Sequence, residues 1–337
     1  MWPPGVTSSC CWLRGQAVFD VSVVIPAYNS AATLHYAVRS ALDQTLPPAE
    51  IIVVDDGSTD HTADVASSFG STVGYLRQAR AGVSAARNAG IRAACHTWVA
   101  LLDADDRWHP RKLEAQAEAL ESRPDARWAF CDARLVDQAS RLVREWSFPS
   151  GIETARQLLE TAFLYNPVAG SSSAVVASRD CLVEIGLFDT TLAAVEDLDL
   201  WMRLASRYPF VHVPGAFVDI MRTRDSLSTH VQLMRKCLKR IRWKNRRLLG
   251  PGIHAWWLWN KAYAGVLCDT GKTALRHRLA RHGATDLLES AVRSPLRRGP
   301  QSLGILIEWL IGRWPGSSVQ RIGVSGSRAL RTASPQG

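Results

Sequence analysis

The chain has 337 residues, 47% hydrophobic and 21% charged, a composition that excludes a disordered polymer and fits one large or two ordinary globular domains. No run of about twenty apolar residues exists, so no membrane-crossing helix is expected. The formal charge of +9 divides into −7 over residues 1–230 and +16 over residues 231–337, which implies two parts with different partners.

The seven cysteines (Cys10, Cys11, Cys95, Cys131, Cys181, Cys237 and Cys268) form no CxxC pair. Their spacing suits neither a zinc site nor a disulfide framework, so they read as reduced thiols of a cytoplasmic protein. Residues 1–19 have no basic start and no sustained apolar core, so they read as a flexible leader rather than a targeting signal.

Val21-Ser22-Val23-Val24-Ile25-Pro26 is a β-branched run stopped by proline, the pattern of a buried strand. Asn29 or Ser30 is expected to cap a helix carrying Leu34, Ala37, Val38, Ala41 and Leu42, which Pro47-Pro48 ends. Ile51 to Val54 is a second buried strand, so strand, helix and strand make a βαβ unit. The alternation continues with a helix over 60–69, a strand over 73–76, a helix of small residues over 82–94, a strand over 98–102 and a helix over 111–121. Further strands are expected at 126–132 and 172–177. This is an α/β class with a largely parallel sheet flanked by helices. Past Thr229 the chain turns basic and helical, with segments over 231–249, 261–268, 273–282 and 284–292 and an apolar stretch over 303–311. After Pro315 it is rich in Gly and Ser and reads as a flexible tail.

Ligands of open α/β sheets bind outside the carboxyl ends of the strands. Two acidic clusters stand at such ends and point to one shared site. Asp103-Ala104-Asp105-Asp106 places three carboxylates in four positions, which suits a hard divalent cation, Mg²⁺ or Mn²⁺, shared with substrate phosphates. By itself the cluster suits a solvated acidic turn equally well. Asp55-Asp56-Gly57-Ser58-Thr59-Asp60 could receive a base or ribose, or be an ordinary βα turn in which Asp60 caps the next helix. Arg87 and Asn88 are the polar exceptions in a helix of small residues; Arg87 could hold a diphosphate or simply face solvent. Glu196-Asp197 opens an amphipathic helix with Leu198, Trp201, Met202 and Ala205 on one face, which the helix dipole alone would favour.

In this order the motifs resemble glycosyltransferase family 2, the group with the A-type nucleotide-sugar transferase fold. The resemblance rests on Val23 to Asn29, Asp55 to Ser58, Ala86 to Gly90, Leu102 to Asp106, Gly186-Leu187-Phe188-Asp189 with Glu196-Asp197, and Met221-Arg222 with Ser226-Leu227-Ser228. It covers about residues 20–230, which it marks as the catalytic domain, and leaves 231–315 as a basic helical region and 316–337 as tail. It implies an inverting transferase that uses a nucleotide-diphosphate sugar and a saccharide or lipid-linked saccharide acceptor, in cell-surface glycan synthesis. It implies that Ala27, Tyr28, Asp55, Asp56 and Arg87 line the donor site, that Asp103 lies by ribose and metal, that Asp105 ligates Mn²⁺ or Mg²⁺, and that Asp197 is the catalytic base. Glu196, Arg203 and Arg222 are secondary candidates.

The basic region with Trp256, Trp257, Trp259, Trp309 and Trp314 reads as a helical subdomain or as a peripheral contact with anionic membrane on its inner face. Nucleotidyl transfer is the rival chemistry, opposed by the lack of a glycine-rich phosphate loop with lysine. Nucleic-acid binding through the basic tail is opposed by the acidic first domain, and no nucleic acid is expected.

Overall fold

The computed structural model describes residues 19–137, 139–168, 171–221, 231–277, 279–296 and 298–310. The leader before Phe19, the tail from 316 on, and Arg222 with Ser226-Leu227-Ser228 lie outside the described residues. The chain divides into two compact units. The first holds Met1–Phe148, Val168–Thr190 and Tyr208–Arg222; the second holds Pro149–Pro167, Thr191–Arg207 and Thr223–Gly337.

The first unit is built on one sheet. Its strands are β1 (Val21–Ala27), β2 (Glu50–Asp55), β3 (Gly74–Arg77), β4 (Trp98–Leu101), β5 (Arg107–Trp108), β6 (Trp128–Val136), β7 (Leu142–Trp146), β8 (Val175–Ser178) and β9 (Phe210–Met221). The order is β3-β2-β1-β4-β8-β6-β9-β5, with β7 added to β6. The predicted parallel pairing holds across β3-β2-β1-β4, while β8 runs antiparallel to both β4 and β6. Every residue of β1 is buried, as its unbroken apolarity requires for a strand covered on both faces.

The helices of this unit are α1 (Leu34–Leu42), α2 (Thr62–Ser67), α3 (Val83–Ala93), α4 (Lys112–Ser122) and, later in the chain, α6 (Arg179–Glu184). The cap expected from Asn29 or Ser30 is not made by either side chain. Thr33 is the residue that precedes α1, and the Ser30 carbonyl accepts from the Thr33 and Leu34 amides at 3.0 and 2.9 Å. Asn29 takes φ 48° instead, and its side chain accepts from the Thr59 amide at 2.9 Å, so it ties two loops together. α3 lies close on the sheet because residue 90 is glycine. A Cβ there would stand 2.3 Å from Val24 Cγ1 and 3.1 Å from Val54 Cγ2.

The second unit is helical: α5 (Ala155–Leu164), α7 (Glu196–Ala205), α8 (Val231–Asn245), α9 (Ile253–Arg276), α10 (Ala280–Arg293) and α11 (Gly299–Leu310). α5 and α7, which the sequence reading groups with the first domain, join this unit through buried polar ties. Asp199 of α7, fully buried, receives Lys244 at 2.9 Å and Asn245 at 2.8 Å from α8. Arg242 of α8 donates to the Phe163 carbonyl of α5 at 2.8 Å, and burial pulls its guanidinium down to about 10. The segment 261–268 lies within the single helix α9, and the segment 273–282, read as one piece, takes in the end of α9 and the start of α10. Where α9 and α10 cross, a Cβ on Gly283 would stand 2.5 Å from Leu275 Cδ2 and 3.0 Å from the Gly271 carbonyl oxygen. Among the described residues no helix is long and apolar enough to cross a membrane.

Candidate active site

β1 pairs with β2 on one side and β4 on the other, so the connections leave in opposite directions from the ends of β1 and β4. Such a switch point opens a crevice at the carboxyl ends of the strands. Ala27 and Tyr28 leave β1 there, Asp55 and Asp56 leave β2, and Asp103 to Asp106 follow β4.

The first two loops are tied together. The Asp56 amide donates to the Ala27 carbonyl at 2.8 Å and the Asn29 amide to Ser58 Oγ at 2.9 Å. Asp60 accepts from the Thr62 amide at 3.0 Å and from the Ala31 amide at 3.1 Å, so it ties the two loops; the residue that precedes α2 is His61, and the cap expected from Asp60 is not made at that position. Asp55 is buried and braces the turn, accepting from the Ser58 amide at 2.8 Å and the Tyr75 hydroxyl at 2.6 Å. Burial pushes its carboxyl up, but those hydrogen bonds with nearby Arg77 outweigh it and hold the group below the usual carboxylate range. The same burial and the bond to Asp55 push the Tyr75 phenol up to about 12.

Asp56 organises the approach to α3. Its Oδ1 accepts from Gln78 Nε2 at 2.7 Å and the Ala81 amide at 2.8 Å, and its Oδ2 from the Gly82 amide at 2.7 Å. Three of the carboxylate's roughly four acceptor positions are filled, and one remains on Oδ2. Arg80 stacks over Tyr28, 3.8 Å from the ring centroid, and also bonds its hydroxyl.

α3 carries the charge that holds the acidic loop. Arg87 is buried, and its Nη2 donates to Asp103 Oδ1 at 2.6 Å. Asn88 locks the helix to a distant segment, donating to the Phe188 carbonyl and accepting from the Phe188 amide, both at 2.9 Å. Thus Gly186 to Asp189 meets the Arg87-Asn88 pair in space, as two of the sequence motifs in one assembly.

The three carboxylates after β4 have different environments. Asp106 is buried; its Oδ2 accepts from the hydroxyls of Ser171 and Ser173 at 2.7 and 2.6 Å, and its Oδ1 from the Met221 amide at 3.2 Å. Burial first, then Asp105 and Asp103, raise its proton affinity well above the ordinary range. Asp106 therefore fastens the loop to β9 and to the serines before β8. Ser173 also accepts from the Asp103 amide at 2.9 Å. Sequence reasoning missed Ser171 and Ser173; small hydroxyls in a run of serines carry no spacing signal. It also missed Lys112, fully buried, which donates to Gln116 at 2.7 Å while Gln116 donates to the Ala174 carbonyl at 2.9 Å, bracing this wall from beneath.

Asp105 differs from its neighbours: no side chain among the described residues donates to its carboxylate. Burial and the charge of Asp103 push it up to about 6. A carboxylate in that state is one that a cation would discharge, and among the described residues the cation that Asp103 and Asp105 share is Arg87. The residues therefore fit a divalent ion. Among the described residues no three His, Cys, Asp or Glu side chains converge as a metal group. The protein would supply one or two ligands, and substrate phosphates and water the rest, the habit of Mg²⁺ sites.

The sequence of the family described as Glycosyl transferase family 2 matches residues 22–171, the stretch that holds these loops. This chain carries a glycosyltransferase family 2 domain. An uncharacterised glycosyltransferase of Rickettsia prowazekii is 32% identical over 187 residues, 54% of this chain and 58% of that protein. The chain thus matches under two thirds of that relative's length. Two solved structures share the fold. TarS of S. aureus, in complex with UDP, has a TM-score of 0.53 at 16% identity, covering 82% of this chain and 92% of that one. The mannosyltransferase PcManGT of Pyrobaculum calidifontis, in complex with GDP-Man and Mn²⁺, has a TM-score of 0.55 at 18% identity, covering 87% and 82%. The family 2 domain has the A-type nucleotide-sugar transferase fold that the motifs implied.

The remaining candidates belong to the helical unit. Asp197 is half-buried, accepting from the Leu198 amide at 2.7 Å and from Asn166 Nδ2 at 3.2 Å. Just before it, Val195 takes φ 54° and ψ 27°, the left-handed region. For a β-branched residue that conformation costs on the order of 1–3 kcal/mol, strain of the kind that collects at functional sites. Glu196 is buried, and Arg203 pairs with Asp199 at 2.8 Å, which gives Arg203 a bracing role within α7. Arg222 lies outside the described residues.

Proposed function

We propose that the chain is a metal-dependent, inverting glycosyltransferase of the hexosyltransferase type. It would move a sugar from a nucleotide-diphosphate sugar to a hydroxyl of a saccharide or lipid-linked saccharide, in cell-surface glycan synthesis. The observation that carries the reading is Asp105: a proton-hungry carboxylate without a side-chain donor among the described residues, at the switch point of a family 2 domain.

Asp105, with Asp103, would hold Mg²⁺ or Mn²⁺, which when bound supplies a Lewis acid for the charge of the leaving diphosphate. Arg87 fixes the orientation of Asp103. Tyr28 with Arg80 makes a flat wall for a base, and the open position on Asp56 Oδ2 receives a base N–H. Asp197 accepts the proton of the attacking hydroxyl, its carboxylate aimed by Asn166 and the Leu198 amide. Attack opposite the leaving group inverts the anomeric centre, by the logic of inverting glycosidases.

The test is a panel of nucleotide-sugars, UDP-sugars included, with Mn²⁺, scoring free nucleoside diphosphate and the anomeric configuration of the product. Release that stops in EDTA and an inverted product support the reading. Full turnover in chelator, or retained configuration, overturns it.

The protein is further proposed to work on the cytoplasmic side, peripherally on an anionic membrane. Ile253, Trp256 and Trp257 stand exposed on the first turns of α9, with Lys261 5.1 Å from the Trp257 ring and Arg246 4.0 Å from that of Trp243. Exposed tryptophans beside cations suit a lipid interface. Co-sedimentation with phosphatidylglycerol vesicles, lost in Trp256→Ser/Trp257→Ser, checks it.

A further inference from the structure

The helical unit contains a cavity of about 330 Å³ in which three of the five polar lining residues are Lys or Arg and none is acidic. Gln232, Arg235, Lys236 and Lys239 line it from α8, and His282 from α10; Ala274 and Leu279 supply its apolar part. The four α8 residues are spaced i, i+3, i+4 and i+7, which sets them on one face of the helix. Three like charges on one face repel each other, a cost that a solvated surface helix has no reason to concentrate around a hollow.

Their arrangement is fixed from below. Asp286 of α10 is 1% exposed, and it receives Nε and Nη2 of Arg235, the ammonium of Lys239 and the Thr270 hydroxyl, the last at 2.8 Å. The Arg235 and Lys239 side chains are 19% and 21% exposed, so both are largely immobilised against that carboxylate. Asp286 offsets one of the three charges. Glu289, the other carboxylate near Arg235, is paired with Arg293 at 2.8 Å. Among the described residues two positive charges are left uncompensated, on a rigid base. Arg235 Nη1 and the Lys236 ammonium make no hydrogen bond among the described residues, and the Gln232 amide adds a neutral donor.

We infer that this cavity of the helical unit is a binding site for a phosphomonoester or diphosphate group. The charge left over matches a dianion. Donors from a guanidinium, two ammonium groups and an amide suit tetrahedral oxygens, which accept from several directions, and the volume stands at the small end of ligand pockets. The same group could arrive on a free molecule or on a lipid head group.

The test uses the full chain in EDTA, so that metal-assisted binding at the acidic loop is suppressed. Pyrophosphate and inorganic phosphate are titrated calorimetrically. In parallel, binding is measured to vesicles bearing phosphatidic acid, a phosphomonoester, and to vesicles of matched surface charge bearing phosphatidylglycerol, a phosphodiester. The double variant Gln232→Glu/Lys236→Glu changes two exposed side chains that do not touch Asp286, so its melting temperature should stay that of the parent. The expected result is saturable binding of pyrophosphate, or of phosphatidic acid over phosphatidylglycerol, weakened at least tenfold in the double variant and unchanged in Asp105→Asn. Pyrophosphate binding assigns a free ligand; binding confined to phosphatidic acid vesicles assigns a head group. No binding in either arm, or binding that the double variant leaves intact, overturns the inference.

Discussion

Arg87 and Asp103 meet at 2.6 Å, a guanidinium on α3 against the first carboxylate after β4, with side chains 5% and 24% exposed. Removing the guanidinium leaves Asp103 beside Asp105 and Asp106 without a cation in contact. Breaking a buried pair from one side costs about 3–5 kcal/mol, and the partial exposure of Asp103 puts the expected loss for Arg87→Met at about 2–3 kcal/mol. Arg87→Lys should lose less. Urea unfolding of the three proteins checks the order; equal stability for Arg87→Met and the parent would remove the pair from the account.

Asp105→Asn should separate stability from function. The Asp105 carboxyl is raised to about 6, so the folded state disfavours its charged form. Between the unfolded value near 3.8 and 6 the native state binds more protons, and this site's contribution to stability falls as pH rises. In EDTA the variant should therefore melt above the parent by about 2 °C or more at pH 7.5. The gap should close as pH falls towards 4. Sugar transfer should be lost at every pH. A variant less stable than the parent at pH 7.5 would contradict the assignment of an uncompensated carboxylate.

Gly90→Ala tests how α3 is seated. The added Cβ would meet Val24 Cγ1 at 2.3 Å, too close for any side chain contact. Overpacking of this kind costs about 1–3 kcal/mol. α3 should shift outward and carry Arg87 from Asp103, so activity should fall with stability. Val24→Ala removes the obstructing methyl groups, and the double variant should recover part of both, read by melting temperature and by turnover.

Asp197→Asn should abolish transfer and leave nucleotide-sugar affinity within about threefold, since the base acts on the acceptor hydroxyl. Donor affinity by calorimetry and turnover are measured on the same preparation. Near-normal turnover would take Asp197 out of the mechanism.

β1 and β2 were legible because each is a β-branched run closed by proline or aspartate, the pattern of parallel strands buried on both faces, and β4 because an apolar run ends in aspartates; β3 is short and half-exposed and was legible only from its place in the alternation. β9 was not. Pro214-Gly215 interrupts its pattern, and the strand survives because its pairing with β6 is bulged there. Asp132 fills the gap, accepting from the Gly215 amide at 3.0 Å and meeting His212 at 2.8 Å. A strand mended by a side chain from another strand leaves no local trace. Likewise α9 reads as broken between Cys268 and Thr273, around Gly271, and only the close crossing of α10, where a Cβ on Gly271 would stand 2.9 Å from Leu287 Cγ, shows why glycine stands there. The site was legible as motifs, but Asp105 and Asp106 look alike in sequence. What distinguishes them is Ser171 and Ser173, more than sixty residues away.

Asp286 is the corresponding keystone of the helical unit. Burial opposes its charge, but Arg235, Lys239 and Thr270 outweigh that and hold its carboxyl below the usual range. A lowered carboxylate stabilises the fold above its unfolded value and loses that contribution as pH falls through its folded value. Asp286→Asn should therefore cost about 3 kcal/mol at neutral pH, because Arg235 and Lys239 are left crowded without their counter-charge. The cost should shrink below pH 3.8, where the unfolded chain takes up a proton that folded Asp286 still refuses, and go on shrinking as pH falls towards the lowered folded value. Guanidinium unfolding followed by the fluorescence of the α9 tryptophans, at pH 7 and near pH 3, measures both ends. A gap between parent and variant that stays constant over that range would show that the stability comes from packing around residue 286 and owes nothing to its charge.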